Sequence, residues 1–205
     1  MISTSSTGAP RAGSAPPVMG LQANRTERLT RLKSRIAKPG EASFFFFDAH
    51  FQSEAVKVLP GEYFVFNEDM LIMTTLGSCI ATCLWDRQAK IGGMNHFMLP
   101  DNGGGASDSG RYGSYAMELL INEMLKMGAS RMTMEAKVFG GGAVISGMNT
   151  INVGERNIEQ GWTLIDQYGF NLENVDVGDH VPRNVSMTFP DGKVEMRRGK
   201  SMKMR

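Results

Sequence analysis

The chain has 205 residues, 41% hydrophobic and 21% charged, which suits one substantial core and is short for two. A formal net charge of +1 gives no overall pull toward nucleic acid, and the two cysteines, Cys79 and Cys83, do not make a secreted disulfide framework. No N-terminal run resembles a signal peptide. The longest uninterrupted apolar run, Phe44 to Phe47, is far too short to span a bilayer, so a cytoplasmic protein without an integral membrane segment is expected.

In chain order, residues 1–40 form an extension of different character. Met1 to Gly20 is dominated by Ser, Thr, Gly, Ala and Pro, a composition that cannot offset the entropy of ordering, and it reads as disordered. Arg25 to Lys38 is basic, with Leu29, Leu32 and Ile36 spaced for one apolar helical stripe. It reads as a solvated basic helix or linker, or else as a docking segment for an acidic partner or a membrane face. A single domain is expected over 41–199, followed by a short basic tail, 200–205. Within it, strands are predicted at Tyr63 to Phe66, Leu71 to Thr75, Ile80 to Trp85 and His96 to Leu99, separated by Gly or polar turns. Arg111 to Met127 reads as a helix with Met117, Leu120, Met124 and Met127 on one face and Gly128 as its stop. A strand at Arg131 to Val138 and a helix at Asn152 to Tyr168, with Ile158, Trp162 and Ile165 inward, come next. Val175 to Val177, Val185 to Phe189 and Val194 to Arg197 close the fold, the last two as a hairpin through Pro190-Asp191-Gly192-Lys193. The expected class is mixed α/β, a layered sandwich of mixed β-sheet with flanking helices.

The chemistry centres on Cys79, at the entrance of the third predicted strand, and His96, in the segment after it. A thiol needs a nearby imidazole or cation to act as a nucleophile, and Gly77 and Ser78 leave room for backbone amides to approach an oxyanion. Cys83 shares the strand face of Cys79 and reads as core. Gly103-Gly104-Gly105 lies in a polar run, Asp101 to Gly110, that reads as a mobile loop, and Gly140-Gly141-Gly142 reads as a close backbone passage. Neither carries the lysine of a nucleotide loop. Cys79, Cys83 and His96 lack a convincing fourth zinc ligand, His50 and His180 being far away in sequence, so no metal and no cofactor are expected.

Leu76-Gly77-Ser78-Cys79-Ile80-Ala81 and Gly92-Gly93-Met94-Asn95-His96-Phe97-Met98-Leu99-Pro100-Asp101 closely resemble the chemoreceptor glutamine deamidase family, CheD. Phe44 to Phe51, Leu59 to Tyr63, Lys137 to Ala143 and Asn152 to Asn157 are similar to family segments in the same order, so the resemblance runs from about Phe44 to Arg198. It implies hydrolysis of glutamine side-chain amides on methyl-accepting chemotaxis receptors, with Cys79 as nucleophile and His96 as its activating partner. It also implies the receptors' cytoplasmic helices as substrate and admits a CheC-type phosphatase as a further partner.

A threonine that some members carry six residues before the cysteine falls here on Met73. Thr75 is the expected His-orienting or substrate-binding residue, provided the strand alternation continues unbroken through Gly77. Asn95 should face the other side of its strand from His96. Cys and His alone do not fix the leaving group: a glutamyl methylesterase, a transglutaminase and a noncatalytic regulatory binding module stay open.

Overall fold

The computed structural model describes residues 27–100, 109–143 and 153–200. The expected disordered tail at Met1 to Gly20, the loop around Gly103-Gly104-Gly105 and nearly all of the basic tail lie outside them. A short helix, α1, covers 27–33. Ten strands follow among the described residues: β1 Phe44–Asp48, β2 Ser53–Lys57, β3 Tyr63–Phe66, β4 Leu71–Leu76, β5 Ile80–Asp86, β6 Ile91–Asn95, β7 Met134–Gly140, β8 Asn171–Val177, β9 Arg183–Thr188 and β10 Val194–Arg198. Helices α2, Gly113–Lys126, and α3, Val153–Tyr168, flank β7 in sequence.

The strands make two mixed five-stranded sheets, ordered β1-β2-β4-β9-β10 and β3-β6-β5-β7-β8. The parallel pairs are β2 with β4 and β7 with β8. The sheets pack face to face, and α2 and α3 cover the far side of the second, α2 on β3 and β6, α3 on β5 and β7. Two cores result. Val56, Ile72, Val185 and Met187 from the first sheet meet Phe64, Cys83, Trp85 and Met94 from the second. Ile80, Leu84 and Val138 meet Met117, Leu120, Met124 and Ile165 on the helix side. This is the expected layered mixed α/β sandwich in one domain.

β5 shows the three-layer arrangement residue by residue. All seven of its residues are buried. Its alternation sends Ala81, Cys83 and Trp85 into the space between the sheets and Ile80 and Leu84 under the helices. A strand buried on both faces gives the turn before it a rigid anchor.

Several elements differ from the sequence expectation. β1 and β2 have no counterpart in the prediction. The strand expected at His96 to Leu99 lies earlier, at β6, in the stretch read as a glycine turn. Those glycines are there for packing: a Cβ on Gly92 would come within 2.7 Å of the Phe66 ring, and one on Gly93 within 2.6 Å of Leu120. On α3 the buried face runs through Gly154, Asn157, Gly161, Leu164 and Ile165, and Trp162 is only half-buried.

The basic segment lies against its own domain. Leu32 is buried, Leu29 packs beside it and Ile36 projects into solvent. Arg28 pairs with Glu54 and Glu68, Arg31 with Glu68, Arg35 with Glu41 and Lys38 with Glu123. The buried Arg183 of β9 binds Asp176 of β8 through Nε at 2.7 Å, and Arg198 of β10 reaches the other carboxylate oxygen at 2.9 Å. These bonds fasten the two sheets at one end.

Candidate active site

Cys79 sits where the chain leaves one sheet for the other. β4 of the first sheet ends at Leu76, the turn Gly77-Ser78 follows, and β5 of the second sheet starts at Ile80. The turn is held from the side by a glycine passage. Gly141 N–H donates to Cys79 O and Gly142 N–H to Gly77 O, each at 2.8 Å. Gly140 has φ +116°, and a Cβ there would lie 2.0 Å from Cys79 O. Only glycine allows that approach, and these amides are already engaged, so the passage has a packing role rather than a phosphate-binding one.

His96 follows β6. Ile80 and Phe97 exchange both backbone hydrogen bonds, at 2.9 and 3.0 Å. Continuing that antiparallel register places Cys79 opposite Met98 and His96 opposite Ala81. Cys79 and His96 are therefore diagonal neighbours on the face turned toward the first sheet. Cys79 is half-buried, and His96 is 2% exposed.

The third contact comes from the opposite sheet. Ile72, Thr74 and Leu76 of β4 all point between the sheets, and Thr74 Oγ1 lies 2.9 Å from His96 Nδ1. The same hydroxyl donates to Val58 O at 2.7 Å. Val58 O can only accept, so the single hydroxyl proton goes to it, and Thr74 Oγ1 accepts from His96 Nδ1–H. This network assigns the tautomer with the proton on Nδ1. Nε2 is then a free lone pair, and no hydrogen-bond partner for it is found among the described residues.

Thr75 is not the residue that meets His96. It is exposed on the outer face of the first sheet and donates to Asn184 Oδ1 at 2.9 Å. The alternation that would have put Thr75 on the Cys79 face stops at Leu76, and the turn resets the parity. Asn95 faces away from His96, its Oδ1 accepting Thr82 N–H at 2.9 Å. His50 is exposed against the Phe51 ring and touches Arg197. His180 is exposed with Nδ1 3.2 Å from Ala143 O. Cys83 is buried between the sheets, and burial pushes its thiol up to about 12 against a smaller lowering by Lys137.

Electrostatically the Cys79 and His96 pair rests neutral. Burial pushes the Cys79 thiol up. Burial also pulls the His96 imidazole down to about 4, against a smaller raising effect of the Val58 carbonyl. A neutral imidazole with Nδ1 anchored and Nε2 unprotonated is equipped to take a proton from an attacking thiol. Among the described residues no group of three or more His, Cys, Asp or Glu side chains is placed to hold a metal ion.

The site therefore joins a turn-borne thiol, an anchored imidazole and a threonine behind it at the junction of the two sheets of a layered α/β domain. The family profile described as CheD chemotactic sensory transduction matches residues 98–198, beginning just after His96. A probable chemoreceptor glutamine deamidase CheD 1 of Albidiferax ferrireducens is 54% identical over 184 residues, 90% of this chain and 77% of that protein. Probable chemoreceptor glutamine deamidases CheD of Janthinobacterium sp. and Herminiimonas arsenicoxydans are 48% and 46% identical, covering 78% and 82% of this chain and 81% and 85% of theirs. The chain belongs to the CheD family. A match over 90% of the chain necessarily spans Cys79 and His96, which the family profile does not reach.

Proposed function

We propose that this chain is a chemoreceptor glutamine deamidase, hydrolysing the side-chain amide of selected receptor glutamines to glutamate during chemotactic adaptation. The observation that carries this reading is His96, with Nδ1 anchored to Thr74 and Nε2 unpartnered, diagonal to Cys79 at the entrance of the doubly buried β5. Its relatives bear the same activity in their names.

The steps follow from the residues. His96 Nε2 takes the Cys79 proton as Sγ attacks the glutamine amide carbon, and negative charge builds on the amide oxygen. Collapse breaks the C–N bond, and the imidazolium returns its proton to the departing nitrogen, releasing ammonia and leaving a thioester. Water then attacks the thioester with Nε2 again as base, and glutamate leaves as the Cys79 thiol is restored. Thr74 accepts from Nδ1 throughout and keeps the ring in the competent tautomer. No helix among the described residues is long and apolar enough to cross a membrane.

One observation favours a second reading. A raised thiol beside a lowered imidazole gives little thiolate at rest, as a noncatalytic receptor-binding module would have. Ammonia release from a receptor cytoplasmic fragment decides between them. The deamidase reading expects release by the wild-type chain and none by Cys79→Ala, and binding of the fragment without release would support the module.

A further inference from the structure

Asn157 is fully buried on α3, far from Cys79 in sequence, and its side chain reaches the nucleophile turn from the helix layer. Its Nδ2 donates to Ser78 O at 2.9 Å and to Met98 O at 3.0 Å. Two carbonyls can only accept, so the amide orientation is fixed and both Nδ2 protons are used. Oδ1 has no hydrogen-bond partner among the described residues. A buried unpaired acceptor is costly, so fold stability alone is a weak reason for an asparagine here.

The two carbonyls belong to the segments that carry the chemistry. Met98 lies opposite Cys79 in the register set by Ile80 and Phe97, and Ser78 shares its peptide unit with Cys79. Among the described residues the only cis peptide is Phe189–Pro190, so the Ser78–Cys79 unit is trans. In a planar trans peptide the carbonyl and the N–H point in opposite directions. Fixing Ser78 C=O on Asn157 therefore turns Cys79 N–H away from the helix layer. Cys79 C=O is separately held by Gly141, whereas Cys79 N–H has no backbone acceptor among the described residues.

We propose that Asn157 is a positioning residue for the deamidation: by holding the Ser78 carbonyl it aims the Cys79 N–H at the oxyanion that forms when Cys79 Sγ attacks the amide. This rests on the reading of Cys79 as nucleophile. The oxyanion donor is then part of the same residue as the nucleophile, and its direction is set from behind by α3.

The test uses two reactions of the same thiol. Deamidation passes through an oxyanion. Alkylation of Cys79 by iodoacetamide is a displacement that forms none, yet it still needs an accessible and correctly placed thiol. Asn157→Ala and Asn157→Asp are each compared with the full wild-type chain for kcat and KM on a receptor fragment and for alkylation rate against pH. The expected result is a fall in kcat of roughly 10- to 100-fold, at or below the loss for removing an oxyanion donor outright. KM and the alkylation profile stay at wild-type values. If neither variant folds, Asn157→Ser, whose hydroxyl can still donate to one carbonyl, carries the same readouts and should retain part of the rate. Parallel loss of deamidation and alkylation would make Asn157 a purely structural support and overturn the proposal, as would unchanged deamidation. A wild-type chain that alkylates but deamidates nothing would instead remove the nucleophile reading on which the proposal stands.

Discussion

Acidification should destabilise this protein through His96. Burial holds the imidazole down at about 4, whereas the ordinary value is 6.5. As pH falls, His96 in the unfolded chain takes up a proton near its ordinary value, while the folded chain refuses one until about 4. The unfolded state binds more protons throughout that window, so stability is full above it, declines as pH falls, and is lost once pH passes the folded value. At ~1.4 kcal/mol for each unit of pH, the whole window is worth roughly 3 kcal/mol, and the stretch from about pH 7 to about pH 5 roughly 2 kcal/mol. That is a large part of the ~5–15 kcal/mol available to a domain. The carboxyls of Asp86, Glu123, Asp176 and Asp191 are all held below their ordinary values, so what they contribute is lost only at lower pH. Urea unfolding across that range on wild type and His96→Asn isolates the histidine, because the asparagine amide can take over the bond to Thr74. Wild type should lose roughly 2 kcal/mol that the variant keeps. Parallel curves would refute the assignment of a buried neutral imidazole.

Thr74→Val removes the close acceptor of His96 Nδ1–H and leaves that proton only the longer 3.4 Å contact with Val58 O, so kcat should fall by up to about 100-fold, whereas Thr75→Val should leave steady-state kinetics near wild type. Gly140→Ala forces a Cβ onto Cys79 O in a left-handed backbone, and thermal or urea unfolding should show a loss of at least ~2 kcal/mol with activity lost as well. Because burial raises the Cys79 thiol, its alkylation rate should climb with pH through and beyond the ordinary thiol range. A plateau at acidic pH would reveal a resting thiolate and imidazolium pair instead.

The layered class and most elements from Leu71 onward were legible because their apolar spacing reports burial directly, as in Met117, Leu120 and Met124 on α2. β1 was hidden by its own composition. In four consecutive phenylalanines no alternation is visible, although Phe45 enters the core while Phe44 and Phe47 stay exposed. β6 was hidden by Gly92 and Gly93, which read as a turn and serve as flat spots between crowded neighbours on both sheet faces. At the site, Cys79 and His96 stood out by residue type and family resemblance. The threonine was displaced by one position because parity along β4 is set by which face meets the second sheet, a tertiary fact. Asn157 ends a segment similar to the family's, but neither its role nor that of Val58 was legible locally, since each acts through a bond to a segment distant in sequence. The charges of the basic segment were visible, but their partners Glu41, Glu54, Glu68 and Glu123 became identifiable only once the fold brought them together.

Activated by His96, Cys79 is proposed to turn receptor glutamines into glutamates. Site-resolved peptide mass spectrometry of a cytoplasmic receptor fragment, incubated with wild type, Cys79→Ala and His96→Ala, addresses this proposal most directly. Amide-to-acid conversion is expected at a few defined glutamines with wild type and at none with either variant. Conversion that persists in Cys79→Ala, or a receptor fragment left unchanged by a wild-type chain that binds it, would contradict it.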